Sequence, residues 1–306
     1  MRAGLEVGAG RASSQGRSAT PHPPSYGAVR PLQPPLATGP ADYGFHRQAA
    51  ADQAGFGVRF GWGLDGAAAL APESDVVVVV DVITFSTTVA VAVERGCLVY
   101  PHPWHEEDAL ALARHLGAEV AVSRSLVTSE RPYSLSPATL SRAPRGMSIV
   151  LPSPNGSAVS AAAMGGRALV LAGSLRNAFA VARFARRSGS VISVIAAGER
   201  WGDGNLDPAL EDLIGAGAII DGLRRRRRSP EAAAAAAAFR QARKQGLRQV
   251  LRECVSGREQ RSRGYGDEIE WASALNVSDV VPLLRDGAYQ AANWRARELG
   301  GDGPTG

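Results

Sequence analysis

The feature that most constrains this chain is 76-VVVVVDVITFSTTV-89, in which five consecutive valines end on an acid followed by hydroxyl side chains. β-Branched residues favour strands, and a strand apolar at every position is buried on both faces, as in a parallel sheet covered by helices. Ligands of such sheets bind beyond the carboxyl ends of the strands. Asp81 therefore stands either in an ordinary turn or where a fold of this kind presents its chemistry.

The pattern recurs. Residues 76–100 read as a strand, a helix over 86–93 and a second strand over 98–100, with Gly96 between. The stretch 148-SIVLPSPNGSAVSAAAMGGRALVL-171 repeats strand, hydroxyl-rich turn, alanine helix, Gly-Gly and strand. A helix over 177–187 leads to strand-like 190-SVISVIAAG-198, and 210–223 carries a helical apolar stripe. The expectation is an α/β fold, a layered α/β/α arrangement with a mostly parallel or mixed sheet. The repeat suggests two similar lobes, about 43–145 and 146–299, within one domain over 43–299. Residues 1–42 are rich in Pro, Gly, Ser and Ala without apolar periodicity and read as a disordered segment, and 300–306 as a frayed tail. Residues 231–251 read as a basic, alanine-rich surface helix or lobe connector, and 262–284 as a turn, a helix and a strand-like segment.

Composition narrows the function. The chain is 45% hydrophobic, enough for a sizeable core, but no apolar run approaches the roughly 20 residues that cross a bilayer. No membrane partner is expected, and without a secretory leader pattern the expected location is cytoplasmic. Two cysteines, Cys97 and Cys254, are too few for a disulfide framework, and the five histidines show no metal spacing. The net charge of +5 is concentrated in the first 50 residues, where five arginines face only Glu6 and Asp42. The run Arg224–Arg228 follows a predicted helix and precedes Ser229-Pro230, so it reads as a solvated helix end and nucleic acid is not an expected partner. A homo-oligomer is compatible with the sequence.

The chemistry concentrates in strand-end turns. Asp81 comes with Ser86, Thr87 and Thr88; a second turn supplies Asn155, Gly156 and Ser157; a third, 173-GSLRN-177, supplies Ser174 and Asn177; a fourth is 197-AGERWGDGNLDPALED-212. Such residues at helix starts are ordinary caps, yet they also leave backbone N–H groups for an anion. Asp81, Glu199, Glu211 and Asp212 suit a hard cation such as Mg²⁺. An anion cradle beside a hard cation suits phosphoryl chemistry.

Taken in order, 81-DVITFSTT-88, 155-NGS-157, 173-GSLRN-177, 197-AGE-199 and 210-LEDLIGAGAII-220 resemble the 2-phosphosulfolactate phosphatase (ComB-like) family, over about residues 57–285. The resemblance implies a Mg²⁺-dependent hydrolase of a small anionic phosphate monoester, 2-phosphosulfolactate or a related 2-phospho acid, in coenzyme M biosynthesis. It implies Asp81 and Glu211 as metal ligands, with Asp212 and Glu199 as further candidates for ligand or base. Asn155, Gly156, Ser157, Ser174 and Asn177 would hold the substrate's anionic groups. The sequence departs from the family where Arg-Ala is usual before the threonines and Thr84-Phe85 stands instead. The family's central acidic motif is reduced to Val122-Ser123-Arg124 and 133-YSLSP-137. Arg124 or Arg176 would replace the lost charge. These losses also define an alternative, a catalytically degenerate anion-binding protein on the same scaffold.

Overall fold

The computed structural model describes residues 53–103, 106–224 and 226–293. The expectations for 1–42 and 300–306 fall outside them. In chain order the elements are β1 (Val58–Trp62), α1 (Gly63–Leu70), β2 (Val76–Val80), α2 (Phe85–Glu94), β3 (Leu98–His102), α3 (Glu106–Leu116), β4 (Glu119–Val120), α4 (Pro137–Leu140), β5 (Ser148–Pro152) and α5 (Gly156–Ala163). There follow β6 (Leu169–Gly173), α6 (Ala178–Ser188), β7 (Ile192–Ala196), β8 (Glu199–Arg200), β9 (Leu206–Asp207) and α7 (Leu210–Gly222). The chain continues through α8 (Pro230–Gln245), α9 (Leu247–Glu253), α10 (Val255–Ser262), α11 (Glu268–Ser273), β10 (Pro282–Arg285) and β11 (Ala288–Ala291). The fold is the expected layered α/β arrangement on a mixed, mostly parallel sheet.

Nine strands form that sheet, in the order β1-β7-β2-β6-β10-β11-β3-β5-β4. The strands β1, β7, β2 and β6 are parallel to one another, and so are β3, β5 and β4. The antiparallel hairpin β10–β11 joins the two groups, bridging to Leu171 on one side and Val99 on the other. Each parallel group takes strands from both 43–145 and 146–299, so the two stretches interleave within a single sheet.

The valine strand shows why the layers form. Every valine of β2 is fully buried, each removal from water being worth roughly 1.5–3 kcal/mol. Val76, Val78 and Val80 pack with Ile214 and Ile219 of α7 and Ala235 and Phe239 of α8. Val77 and Val79 face the other way, against Ala67 and Leu70 of α1 and Val159 and Ala163 of α5. Strict period-two alternation thus fills two cores at once.

The expected surface excursion over 231–251 is instead part of the core. Ser229 accepts a hydrogen bond from the N–H of Ala232 and starts α8, whose Ala232, Ala235, Ala236, Phe239 and Ala242 are buried against α7. The two helix backbones come so close that a Cβ on Gly217 would lie 2.1 Å from the Ala235 carbonyl oxygen. Alanine's low hydropathy made this face look polar, but small side chains are what permit such an approach.

Candidate active site

The turn after β2 is built by its own hydroxyls. Ser86 Oγ donates to the Asp81 carbonyl at 2.7 Å, Thr87 Oγ1 to that of Val82 at 2.8 Å and Thr88 Oγ1 to that of Thr84 at 2.7 Å. These three side chains are fully buried and line neither of the clefts described below. Ser157 donates to the Leu151 carbonyl. Ser174 and Asn177 form a reciprocal capping box at the end of β6 and are likewise fully buried. The hydroxyl-rich pattern therefore shapes the turns, while the carboxylates and backbone N–H groups gather elsewhere.

Asp81 accepts two backbone hydrogen bonds, from Phe85 to Oδ1 and from Gly156 to Oδ2, each at 3.0 Å. The second ties the turn after β5 to the turn after β2. A side chain at 156 would prevent it, because a Cβ there would lie 2.2 Å from Phe85 Cδ1 and 2.8 Å from Asp81 Oδ2. The start of α7 is tied in the same way. Asp212 Oδ1 accepts from the N–H of Val82 at 2.7 Å and Oδ2 from that of Gly198 at 2.9 Å, bridging the ends of β2 and β7. Gly198 holds a left-handed φ of +67°, where glycine is at ease and other residues are strained.

Glu211, one residue earlier, lies 3.4 Å from the Cys254 thiol, which donates to Oε2. Cys254 also caps α10 by accepting from the N–H of Gly257. Glu199, at the base of the β8–β9 hairpin, accepts from Asn155 Nδ2 at 2.7 Å. A cleft of about 640 Å³ is lined by Glu199, Glu211, Cys254 and Gln260 among others, and Asn155 and Glu199 also line a neighbouring one of about 160 Å³. Asp81 and Asp212 lie behind that lining, 7% and 3% exposed.

No lysine or arginine pairs with any of these four carboxylates among the described residues, and their chemistry shows it. Burial raises Asp81 to about 6 against the pull of its two N–H donors, and the Glu211 charge raises it further. Burial, then the charges of Asp81 and Glu211, push Glu199 up to about 8 although Asn155 opposes them. Burial and the same two charges hold Asp212 well above the usual carboxylate range. Burial, followed by the Glu211 charge, pushes the Cys254 thiol to about 12, so it is a donor and not a thiolate.

The donor set fits a hard divalent cation: buried carboxylate oxygens that repel one another and lack a positive side chain. Among the described residues no three His, Cys, Asp or Glu side chains form a ready-made cage, and Mg²⁺ commonly takes only one or two carboxylates, completing its shell with water and substrate phosphate.

Arg124 and Arg176 take different places. Arg124 reaches Thr84 Oγ1 at 3.0 Å, the Leu135 carbonyl at 2.8 Å and Gln260 Oε1 at 3.0 Å. It also lies 3.4 Å from Glu268 and stacks over the Tyr265 ring. The charge is thus restored beside position 84, but internal partners occupy it. Arg176 sits over Trp271, 5.1 Å from the ring centroid. Within the basic run, Arg226 donates to the carbonyls of Ser190 and Arg186, Arg228 to those of Ile220 and Asp221, and Arg227 stacks over the Phe56 ring. That is the expected helix end, with Arg225 outside the described residues. Sequence reasoning missed Cys254 and Gln260. The only local signal for Cys254 was its position three residues before Gly257, as an N-cap.

The clustered acids beside an open cleft, on an α/β sheet, belong here to a phosphoric monoester hydrolase. The family model for 2-phosphosulpholactate phosphatase matches residues 67–287. The chain is 29% identical over 212 residues to a protein of Carboxydothermus hydrogenoformans named "Probable 2-phosphosulfolactate phosphatase", covering 69% of this chain and 86% of that protein. The chain belongs to the 2-phosphosulfolactate phosphatase family. No helix among the described residues is long and apolar enough to cross a membrane.

Proposed function

We propose that this cleft hydrolyses 2-phosphosulfolactate or a related 2-phospho acid, in the cytoplasm and with Mg²⁺ held by Glu211 and Asp81. The observation that carries the reading is the set of four carboxylates beside the larger cleft, three buried and Glu199 half-buried, without a cationic partner among the described residues. When bound there, Mg²⁺ would neutralise the phosphoryl oxygens and polarise the ester. Asp212, with both oxygens on backbone N–H groups, acts as a brace that fixes the start of α7 against β2. Glu199, oriented by Asn155, is the acid–base group: raised toward neutrality, its carboxylate form takes a proton from the water that attacks phosphorus and returns it to the ester oxygen as the bond from phosphorus to that oxygen breaks. The Cys254 thiol fixes the Glu211 carboxylate from the α10 side.

The test is phosphate release from 2-phosphosulfolactate, 2-phospholactate and phenyl phosphate, with Mg²⁺ and with EDTA, for the wild type and Asp81→Asn. Turnover that requires the metal and is lost in the variant supports the proposal. Full activity in EDTA refutes the metal. The departures at Thr84 and 133–137 give substance to the second reading, binding without turnover. It takes precedence if every ester survives while the protein still binds Mg²⁺ or phosphate.

A further inference from the structure

The larger cleft has positive as well as negative walls, and only one of its cations is unpaired among the described residues. Arg200 is tied to the Gly204 carbonyl at 3.1 Å, and Arg263 pairs with Glu259. Of the cleft's other acids, Glu253 faces Arg261 at 3.8 Å and Asp207 stands on the β8–β9 hairpin. Arg258 lines the same cleft, is exposed, and its guanidinium has no hydrogen bond, ion pair or ring contact among the described residues. Arg124 and Arg176, the other candidates for a substrate anion, are committed inside the protein.

The place of Arg258 relative to the acids is fixed. Cys254, at the start of α10, donates to Glu211, and the N–H of Arg258 donates to the Cys254 carbonyl at 3.0 Å. Arg258 therefore sits one turn further along the same helix face, about 6 Å on. A phosphate ester with its phosphate at Glu211 carries any second acid only a few bonds from the ester oxygen. Directed along the α10 wall of the cleft, such a group would meet the unpaired guanidinium. Planar, bidentate and weakly hydrated, a guanidinium is well suited to a sulfonate or carboxylate.

We propose that Arg258 is the specificity-determining residue that receives the second anionic group of the substrate, a sulfonate or carboxylate, at the mouth of the cleft. The inference rests on the phosphatase reading for the placement of the phosphate, but its test has an arm that does not need turnover. Wild type, Arg258→Ala and Arg258→Lys are compared for kcat/KM on 2-phosphosulfolactate and on phenyl phosphate, which has no second anion. Calorimetry measures 3-sulfolactate binding to the same three proteins. The ratio of the two kcat/KM values is expected to fall about tenfold or more in Arg258→Ala, through KM, and to recover in part in Arg258→Lys. A ratio within about twofold of wild type overturns the assignment. If the wild type hydrolyses neither ester, the phosphatase reading fails and the binding arm decides. Sulfolactate affinity reduced about tenfold in Arg258→Ala sustains the subsite; unchanged affinity, or no binding to the wild type, overturns it.

Discussion

Glu199→Gln tests the electrostatics of the site directly, because the substituted amide keeps the oxygen that accepts from Asn155 and removes only the titrating charge. The Glu199 carboxyl rises from 4.5 to about 8, through burial and the charges of Asp81 and Glu211. A carboxyl raised in the folded state helps folding while it is protonated, fully below about pH 4.5. That advantage is lost as pH rises through 8. At about 1.36 kcal/mol per unit the full shift would approach 5 kcal/mol, and solvent and relaxation at this partly exposed group reduce it to roughly 2–3 kcal/mol. Thermal melts in EDTA at pH 5 and pH 9 read the difference. At pH 5 the variant and the wild type should melt together. At pH 9 the variant should melt about 4–12 °C higher, given about 2–4 °C per kcal/mol for a domain of this size. The variant should also lose phosphatase activity at both values. An equal shift at both pH values would show that the carboxylates do not repel as described, and would remove the electrostatic case for a cation.

Two further substitutions test the supports. Gly156→Ala brings a Cβ against Phe85 and the Asp81 carboxylate. It should cost about 1–3 kcal/mol in chemical denaturation and abolish turnover, since the N–H of residue 156 can no longer reach Asp81; wild-type kinetics in a stable variant would refute that account. Arg124→Met leaves Glu268 buried without its cation, although burial already raises that carboxyl. A loss on the order of 3 kcal/mol is expected at pH 8, shrinking toward pH 5 as Glu268 takes up a proton. A pH-independent loss would instead point to packing on Tyr265.

The sequence revealed the frame of this fold because its strands are apolar without interruption and each ends on small polar residues. The elements over 76–100 and 148–171 lie where that pattern puts them. The site was harder to read because one residue type serves two purposes. A buried threonine bonding its own backbone, as Thr87 does, looks in sequence like a threonine facing a phosphate. The four acids were visible, yet nothing local told Glu211, on the cleft, from Asp212, behind it. Adjacent positions on a helix point about 100° apart, and only the packing of α7 on β2 decides which faces outward. Cys254 and Arg258 gain their meaning from Glu211, more than forty residues away, a relation no local pattern carries.

The interleaved sheet also governs how the chain can be made. The five valines of β2 pair with 169–173 on one side and 192–196 on the other, and β1 pairs along its length with 192–196. During synthesis the most apolar segment of the domain emerges long before either neighbour exists. Sheets closed by such distant segments form slowly, and an unpaired run of high β-propensity is prone to self-association in the interval. A chain stalled before residue 196 has neither its two cores nor its carboxylate cluster, so folding and assembly of the site become a single late event, and yield in the cell should depend on what shields those valines until then.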